Sequence, residues 1–164
     1  SVGEVGEIAA ASPYLFKQYH NNPEQTEQTF IAGRLRTGDL AYRNDDGFLF
    51  LVDRAKDMII TGGMNVYSVE VENALFQHTS IQDAAIIGVP DPDWGEAVVA
   101  VITSDTEIAF PALKKFLSER LSAYKLPKEV HRIHDLPLTP YGKIDKKALR
   151  QMHRDGAFIQ QTSA

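Results

Sequence analysis

The pattern of apolar and polar residues changes near residue 53. Before that point, strand-like stretches at residues 5–10 and 47–52 flank a polar run at residues 21–28. The second stretch alternates apolar and polar residues after an Asn-Asp-Asp-Gly turn signal. This part offers too few core residues to fold alone, so we expect it to be the edge of a larger β-rich domain.

From residue 54 onward, the pattern predicts a compact unit of mixed helices and strands. We expect strands at residues 58–60, 83–89, 97–103 and 129–134. We expect helices from Ser68 to about Gln77, with Ser68 as N-cap, from Pro111, and from Asp145. This order predicts an α+β fold in which helices cover one mixed sheet.

Charge narrows the class of ligand. The 164 residues include 17 Lys+Arg and 22 Asp+Glu, a net charge of −5 at pH 7, which argues against a general nucleic-acid binder. Residues 111–150 are locally basic, with 10 Lys+Arg and 4 Asp+Glu. This segment suits a compact phosphorylated ligand, and a solvated helix face explains it equally well.

The absence of cysteine and of long apolar runs limits the kinds of site and the cellular location that we expect. The absence of cysteine excludes disulfides, thiolate zinc sites and cysteine nucleophiles, so any thioester chemistry must take its thiol from another molecule. No apolar run approaches the roughly 20 residues that span a bilayer, and we expect a cytoplasmic protein. The first residues carry neither an initiator Met nor a basic segment, so we expect a piece of a longer protein.

Five further residues have simple interpretations. His131 and His134 are three residues apart in a predicted strand, so their side chains point to opposite faces and we expect no shared metal site. We expect Trp94 to be a packing anchor in a turn. Lys146 and Lys147 are expected to be solvated surface charges.

Residues 36–39 form the first of three segments that carry more chemistry than a connecting loop needs. Gly38 permits a sharp turn of the backbone, and Asp39 follows it directly. A carboxylate in this place can accept hydrogen bonds from the two hydroxyls of a ribose. A simple turn or capping role for Asp39 is the alternative.

The second segment joins the two parts of the chain. Residues 53–57 are mostly charged, which suits a hinge that exchanges ion pairs as it turns. Gly62 and Gly63 follow, and paired glycines let a ligand approach the backbone closely. A surface hairpin with a glycine turn accounts for them equally well.

The third segment, residues 136–147, presents one lysine. Pro137 and Pro140 restrict the loop, and Gly142 permits an otherwise strained backbone. Lys143 at the tip is therefore a preorganised positive charge, suited to phosphate or carboxylate oxygens.

In this order, residues 36–40, 53–67 and 136–149 resemble the adenylate-forming enzymes, and more narrowly their acyl-CoA synthetase (acid–CoA ligase) branch. Residues 3–7 and 88–96 match as well. The resemblance implies activation of a carboxylic acid by ATP to an acyl-adenylate, then acyl transfer to the thiol of coenzyme A. It also implies Mg²⁺, bound mainly by the N-terminal domain.

The resemblance divides the chain into the distal end of an incomplete N-terminal domain, residues 1–53, and a small mobile C-terminal domain, residues 54–164. It assigns Asp39 to the ribose hydroxyls and Arg54 to the nucleotide phosphates. It places Lys56 at the hinge, where many relatives carry an acid. It assigns Gly62 and Gly63 to the pantetheine tunnel and Lys143 to the bridge between the acyl carboxylate and the α-phosphate.

The resemblance also places the phosphate loop and the acyl pocket upstream of Ser1, so we expect no ligase activity from these residues alone and no information about the acid. The oligomeric state, a homo-oligomer included, stays open. One alternative is an adenylation domain that loads a carrier-protein thiol. Another is a non-catalytic ligand-binding or RNA-binding α+β module, although the strands at residues 83–89 and 97–103 lack aromatic side chains for base stacking.

Overall fold

The computed structural model describes residues 1–158. Its chain divides into two compact units, of which the first comprises residues 1–56 and the second begins at Asp57. The assignment of residues 1–53 and 54–164 to two domains of a larger enzyme stays a prediction. No helix within residues 1–158 is both long and apolar enough to cross a membrane.

Within residues 1–56, an antiparallel sheet is built around one long strand. The elements are β1 (Gly6–Ala10), α1 (Pro23–Thr29), β2 (Phe30–Ile31), β3 (Arg34–Arg43) and β4 (Leu49–Arg54). β3 pairs with each of the other three strands. The polar run at residues 21–28 supplies most of α1, and Asn22 caps this helix by accepting a 3.1 Å hydrogen bond from the amide of Gln25.

The sequence suggested a loop at residues 36–39, but in the structure these residues are part of β3. The pairing of β1 with β3 shifts register between Glu7 and Ala9, and Gly38 has a φ of +75°. A bulge therefore places the sharp turn inside the strand. Glycine and aspartate are depleted in strands, which is why the local pattern indicated a loop.

Within residues 57–158, helices cover a mixed sheet, so the predicted α+β class is confirmed. The strands are β5 (Ile59–Thr61), β6 (Met64–Val66), β7 (Asp83–Asp91), β8 (Gly95–Thr103) and β9 (Glu129–Arg132). The helices are α2 (Ser68–Leu75), α3 (Phe110–Ser118) and α4 (Lys146–Arg154). β8 pairs antiparallel with β7 along its full length and parallel with β9.

The hairpin of β7 and β8 carries the core, because both of its faces are buried. Successive side chains of a strand point to opposite faces, so the two strands supply two apolar clusters. One cluster packs against α2 and α3 and includes Val71, Leu75, Ile86, Val98, Leu113 and Leu117. The other packs against α4 and includes Ile87, Val99, Val101, Leu149 and Phe158.

Two expectations about the start of α2 and α4 are wrong. Tyr67, not Ser68, occupies the N-cap position of α2, and it provides no side-chain cap. Ser68 is fully buried and accepts a 2.7 Å hydrogen bond from the ammonium of Lys146. Lys146 is consequently not solvated, since it also forms a 2.7 Å ion pair with Glu72 and its side chain is only 16% exposed. Lys147 is exposed, as expected.

Candidate functional site

In the first unit, Asp39 and Arg54 lie directly opposite each other on β3 and β4. Arg54 Nε is 3.0 Å from Asp39 Oδ1, and both side chains remain partly exposed. The absence of a side chain at Gly38 leaves room for the guanidinium, because a Cβ there would lie 3.4 Å from Arg54 Nη2. The pair offers carboxylate oxygens to hydroxyl groups and a guanidinium to phosphate oxygens.

Glu7 holds the bulge that carries Asp39, a role that no local sequence pattern indicated. Its carboxylate accepts hydrogen bonds from the guanidinium of Arg36 at 2.6 Å and from the amide of Gly38 at 3.0 Å. The Arg36 hydrogen bond has the largest effect and lowers the pKa of Glu7; burial opposes it, and the hydrogen bond from the Gly38 amide lowers the pKa further. The bulge is thus fixed by an ionised carboxylate.

Lys56 lies in the exposed turn between β4 and β5 and is the last residue of the first unit. Asp57, the next residue, is 8% exposed and accepts a 3.0 Å hydrogen bond from the guanidinium of Arg150 on α4. The chain therefore changes from an exposed lysine to an anchored aspartate within one residue. The hinge role of Lys56 stays a prediction.

In the second unit, Gly62 and Gly63 form the turn between β5 and β6. Their φ angles are +56° and +77°, the left-handed conformation that a two-residue hairpin of this type requires at both positions. The amide of Gly62 donates a 2.8 Å hydrogen bond to the carbonyl of Trp94. The indole of Trp94 packs against this turn, and the turn presents bare backbone to solvent.

A small cleft opens beside the turn. It has a volume of about 170 Å³ and is lined by Thr61, Trp94, Lys114, Ala123, Tyr124, Leu126, Pro127 and Lys128. Lys128 Nζ lies 5.0 Å from the centre of the Trp94 ring and 2.8 Å from Asp91 Oδ2. Two aromatic rings and two cations thus surround one opening. Within the basic segment at residues 111–150, Lys114 and Lys128 line this cleft together with Tyr124, and the sequence did not reveal this grouping because the three residues lie on separate elements.

Lys143 lies on a closed turn of the third segment. The amide of Thr139 donates to the carbonyl of Lys143 at 2.7 Å, and the amide of Gly142 donates to the carbonyl of Thr139 at 2.9 Å. Leu138 and Ile144 pair across the base of this turn. The side chain of Lys143 is exposed and forms no ion pair with any residue between 1 and 158.

The Gly62–Gly63 turn and the Lys143 turn lie at opposite ends of the β7–β8 hairpin. Gly62 contacts Trp94 in the connection between the strands, whereas Gly142 and Ile144 share a cleft with Asp83 and Thr103 at the other end. Strands of nine residues separate these ends by about 27 Å. The two turns therefore cannot reach one reacting atom together.

We expect Gly62→Ala to destabilise the second unit more than Gly63→Ala. A Cβ at Gly62 would lie 2.7 Å from Cε3 of Trp94, whereas a Cβ at Gly63 meets no atom within 4 Å. Both changes strain a left-handed backbone by about 1 kcal/mol, and the clash adds about 2 kcal/mol at Gly62. Urea unfolding followed by circular dichroism measures the difference, and equal midpoints for the two variants would contradict it.

Comparisons with known proteins identify the family that this chain resembles. Residues 70–143 match a family model described as the AMP-binding enzyme C-terminal domain. The medium/long-chain-fatty-acid–CoA ligase FadD8 of Mycobacterium tuberculosis is 44% identical, with 94% of this chain and 29% of that protein covered.

Two solved structures are similar as well. ATP-bound MatB from Rhodopseudomonas palustris is 35% identical with a TM-score of 0.87, and the match covers 94% of this chain and 31% of that chain. The o-succinylbenzoate CoA synthetase of Bacillus subtilis in complex with its acyl-adenylate intermediate is 34% identical with a TM-score of 0.83, covering 92% and 31%. The chain therefore spans about a third of the length of the relatives it matches.

Proposed function

Because this chain belongs to the acyl-CoA synthetase branch of the adenylate-forming enzymes, we propose that it contributes the mobile part of an acid–CoA ligase. In the first step, a carboxylate attacks the α-phosphate of ATP, which forms an acyl-adenylate and releases pyrophosphate. In the second step, the thiol of coenzyme A attacks the acyl carbon and releases AMP. We place this ligase in the cytoplasm.

The separation of the two turns carries this proposal. Adenylation needs a cation at the reacting carboxylate, and thioester formation needs a path for a thiol to the same carbon. A unit that holds Lys143 and the Gly62–Gly63 turn about 27 Å apart can serve both steps only by turning between them. Rotation about Lys56 supplies this motion in the proposal, and the exposed turn at that residue supports it.

In the adenylation step, two anions must meet. A carboxylate and a polyphosphate repel each other, so a positive charge placed between them stabilises the transition state more than the separated reactants. The exposed ammonium of Lys143, on a turn closed by hydrogen bonds, suits this role because little backbone entropy is lost in presenting it.

In the thioester step, a narrow approach and a site for a nucleotide are needed. The bare backbone of the Gly62–Gly63 turn leaves room for a thin pantetheine chain. In the adjoining cleft, the rings of Trp94 and Tyr124 suit stacking on a base, and Lys114 and Lys128 suit phosphate groups. We therefore propose that the adenine and phosphate end of coenzyme A binds there.

Asp39 and Arg54 complete the proposed nucleotide contacts from the first unit. Their 3.0 Å ion pair holds both groups in place before ATP arrives. We propose that the carboxylate accepts hydrogen bonds from the ribose hydroxyls and that the guanidinium contacts the phosphates. Mg²⁺ would neutralise polyphosphate charge, and in the proposal it is held mainly outside this chain.

An RNA-binding module fits the fold less well. Sheets that bind RNA stack bases on exposed aromatic side chains. The central β7–β8 hairpin is instead buried on both faces. Its two strands contain no aromatic residue. An RNA base therefore finds no aromatic side chain to stack on in this hairpin.

We predict that the purified 164-residue chain releases no pyrophosphate from ATP in the presence of carboxylic acids. The proposed acyl pocket and phosphate loop belong to parts that this chain does not contain, and Asp39 and Arg54 alone do not position both reactants. Coupled pyrophosphate detection, with the full-length ligase as positive control, measures this. Acid-dependent release by the 164 residues above the background without protein would refute the prediction.

A further inference from the structure

Glu129, His131 and His153 form a cluster that the proposed function does not use. His131 Nε2 and His153 Nε2 lie 2.9 Å and 3.0 Å from the same oxygen, Oε2 of Glu129. One ligand atom from each residue lies within 4.8 Å of the other two. Two imidazoles and a carboxylate thus converge on one point.

The fold holds these side chains together from two elements. Glu129 and His131 are two residues apart in β9, so they point to the same face of the sheet. His153 lies four residues after the fully buried Leu149 on α4, so it faces the same side. Phe158 stacks on His131, with ring centres 4.7 Å apart and planes 19° apart. The cluster is therefore a built feature of the packing between β9 and α4.

The exposure of the three side chains suits a cation that arrives from solvent. Glu129 is 46% exposed at its side chain, whereas His131 and His153 are 13% and 23% exposed. The two imidazoles are thus held within the protein, and the carboxylate of Glu129 leaves the cluster accessible to solvent.

We propose that Glu129, His131 and His153 bind one divalent transition-metal cation, represented by Zn²⁺, with water in a fourth position. Two imidazole nitrogens and a carboxylate are a common zinc donor set, and tetrahedral Zn²⁺ holds its ligand atoms about 3.3 Å apart. The nitrogen–oxygen separations of 2.9 Å and 3.0 Å need to widen by only a few tenths of an ångström. The cation replaces the protons that the two Nε2 atoms share with Glu129.

One feature sets the expected affinity. His131 Nδ1 is buried and has no hydrogen-bond partner within the described part of the chain. When a cation binds Nε2 of a neutral imidazole, the proton resides on Nδ1, and a buried N–H without an acceptor is unfavourable. We therefore expect a dissociation constant of about 1–10 µM, weaker than that of zinc sites with complete second shells.

Isothermal titration of the 164-residue chain with ZnCl₂ at pH 7.5 tests this site. We expect one Zn²⁺ per chain, and Co²⁺ in its place should give the visible absorption of a tetrahedral complex. His153→Ala should weaken Zn²⁺ binding by at least about 10-fold. His134→Ala is the matched control, because His134 is 95% exposed and outside the cluster, and it should bind as the unchanged chain does.

Glu129→Gln provides a second variant at a more exposed position, should His153→Ala fold poorly. It should weaken binding comparably and abolish the increase in melting temperature that Zn²⁺ produces in the unchanged chain. Absence of binding at 100 µM Zn²⁺, or equal affinity of the unchanged chain and both cluster variants, would overturn the proposal. Neither result depends on ligase activity, so the proposed function is tested separately.

Discussion

In a full-length ligase that contains this chain, Lys143→Ala should reduce acid-dependent pyrophosphate release by about 10²–10³-fold, equivalent to about 3–4 kcal/mol of barrier. The variant removes the charge that we place between the acyl carboxylate and the α-phosphate. Transfer from supplied acyl-adenylate to coenzyme A should change by less than about 3-fold, because the proposal assigns this step to the Gly62–Gly63 turn at the other end of the hairpin.

Measuring both half-reactions on one preparation distinguishes a catalytic loss from a folding defect. Lys147→Ala is the matched control, since Lys147 is exposed on α4 only four positions away. It should leave both half-reactions unchanged. An equal loss of both steps in Lys143→Ala would remove the adenylation-specific role that we assign to Lys143, and an unchanged first step would refute the proposed mechanism.

Lys146→Met should lower the free energy of unfolding of the second unit by about 3 kcal/mol. Glu72 and Lys146 are 15% and 16% exposed, and their 2.7 Å ion pair also satisfies Ser68. Removal of the ammonium leaves a nearly buried carboxylate whose described hydrogen bond is from the amide of Ile86, at 2.9 Å. Trp94, the single tryptophan of the sequence, reports unfolding of this unit by fluorescence in urea.

Two companion variants test the cause of this loss. Lys147→Met should change stability by less than about 0.5 kcal/mol, because Lys147 is exposed on the same helix. The double variant Glu72→Gln, Lys146→Met should recover part of the lost stability, since it removes the unpaired charge. If Lys146→Met and Lys147→Met unfold at the same urea concentration, the ion pair contributes no measurable stability.

The sequence predicted the central strands well because their apolar residues are continuous. β7 and β8 are buried on both faces, so no polar residue interrupts their cores, and the predicted bounds at residues 83–89 and 97–103 fall inside the observed strands. The bulge at Gly38 was not predictable in the same way. It depends on Glu7, which lies 31 residues earlier in the chain than the amide it binds.

The types of residue in the candidate site could be predicted from the sequence, but the residues with which they interact could not. Glycines, prolines and isolated charges marked the three segments, because such residues permit or preorganise unusual backbone. The wrong assignments of Ser68 and Lys146 share one cause: capping rules are local, and these two residues bind each other across 78 positions. His153 was overlooked for the same reason, since it meets Glu129 across 24 positions.

The bond between Asp57 and Arg150 has a mechanical consequence for the proposed rotation. Asp57 directly follows Lys56, and Arg150 lies on the helix that begins three residues after Lys143. In the proposed rotation, a turn of the chain at Lys56 is therefore transmitted through this ion pair to α4 and the adjoining Lys143 turn. The stiffness of this ion pair then sets how accurately the ammonium of Lys143 is positioned. A weaker connection would widen the range of positions that the ammonium reaches.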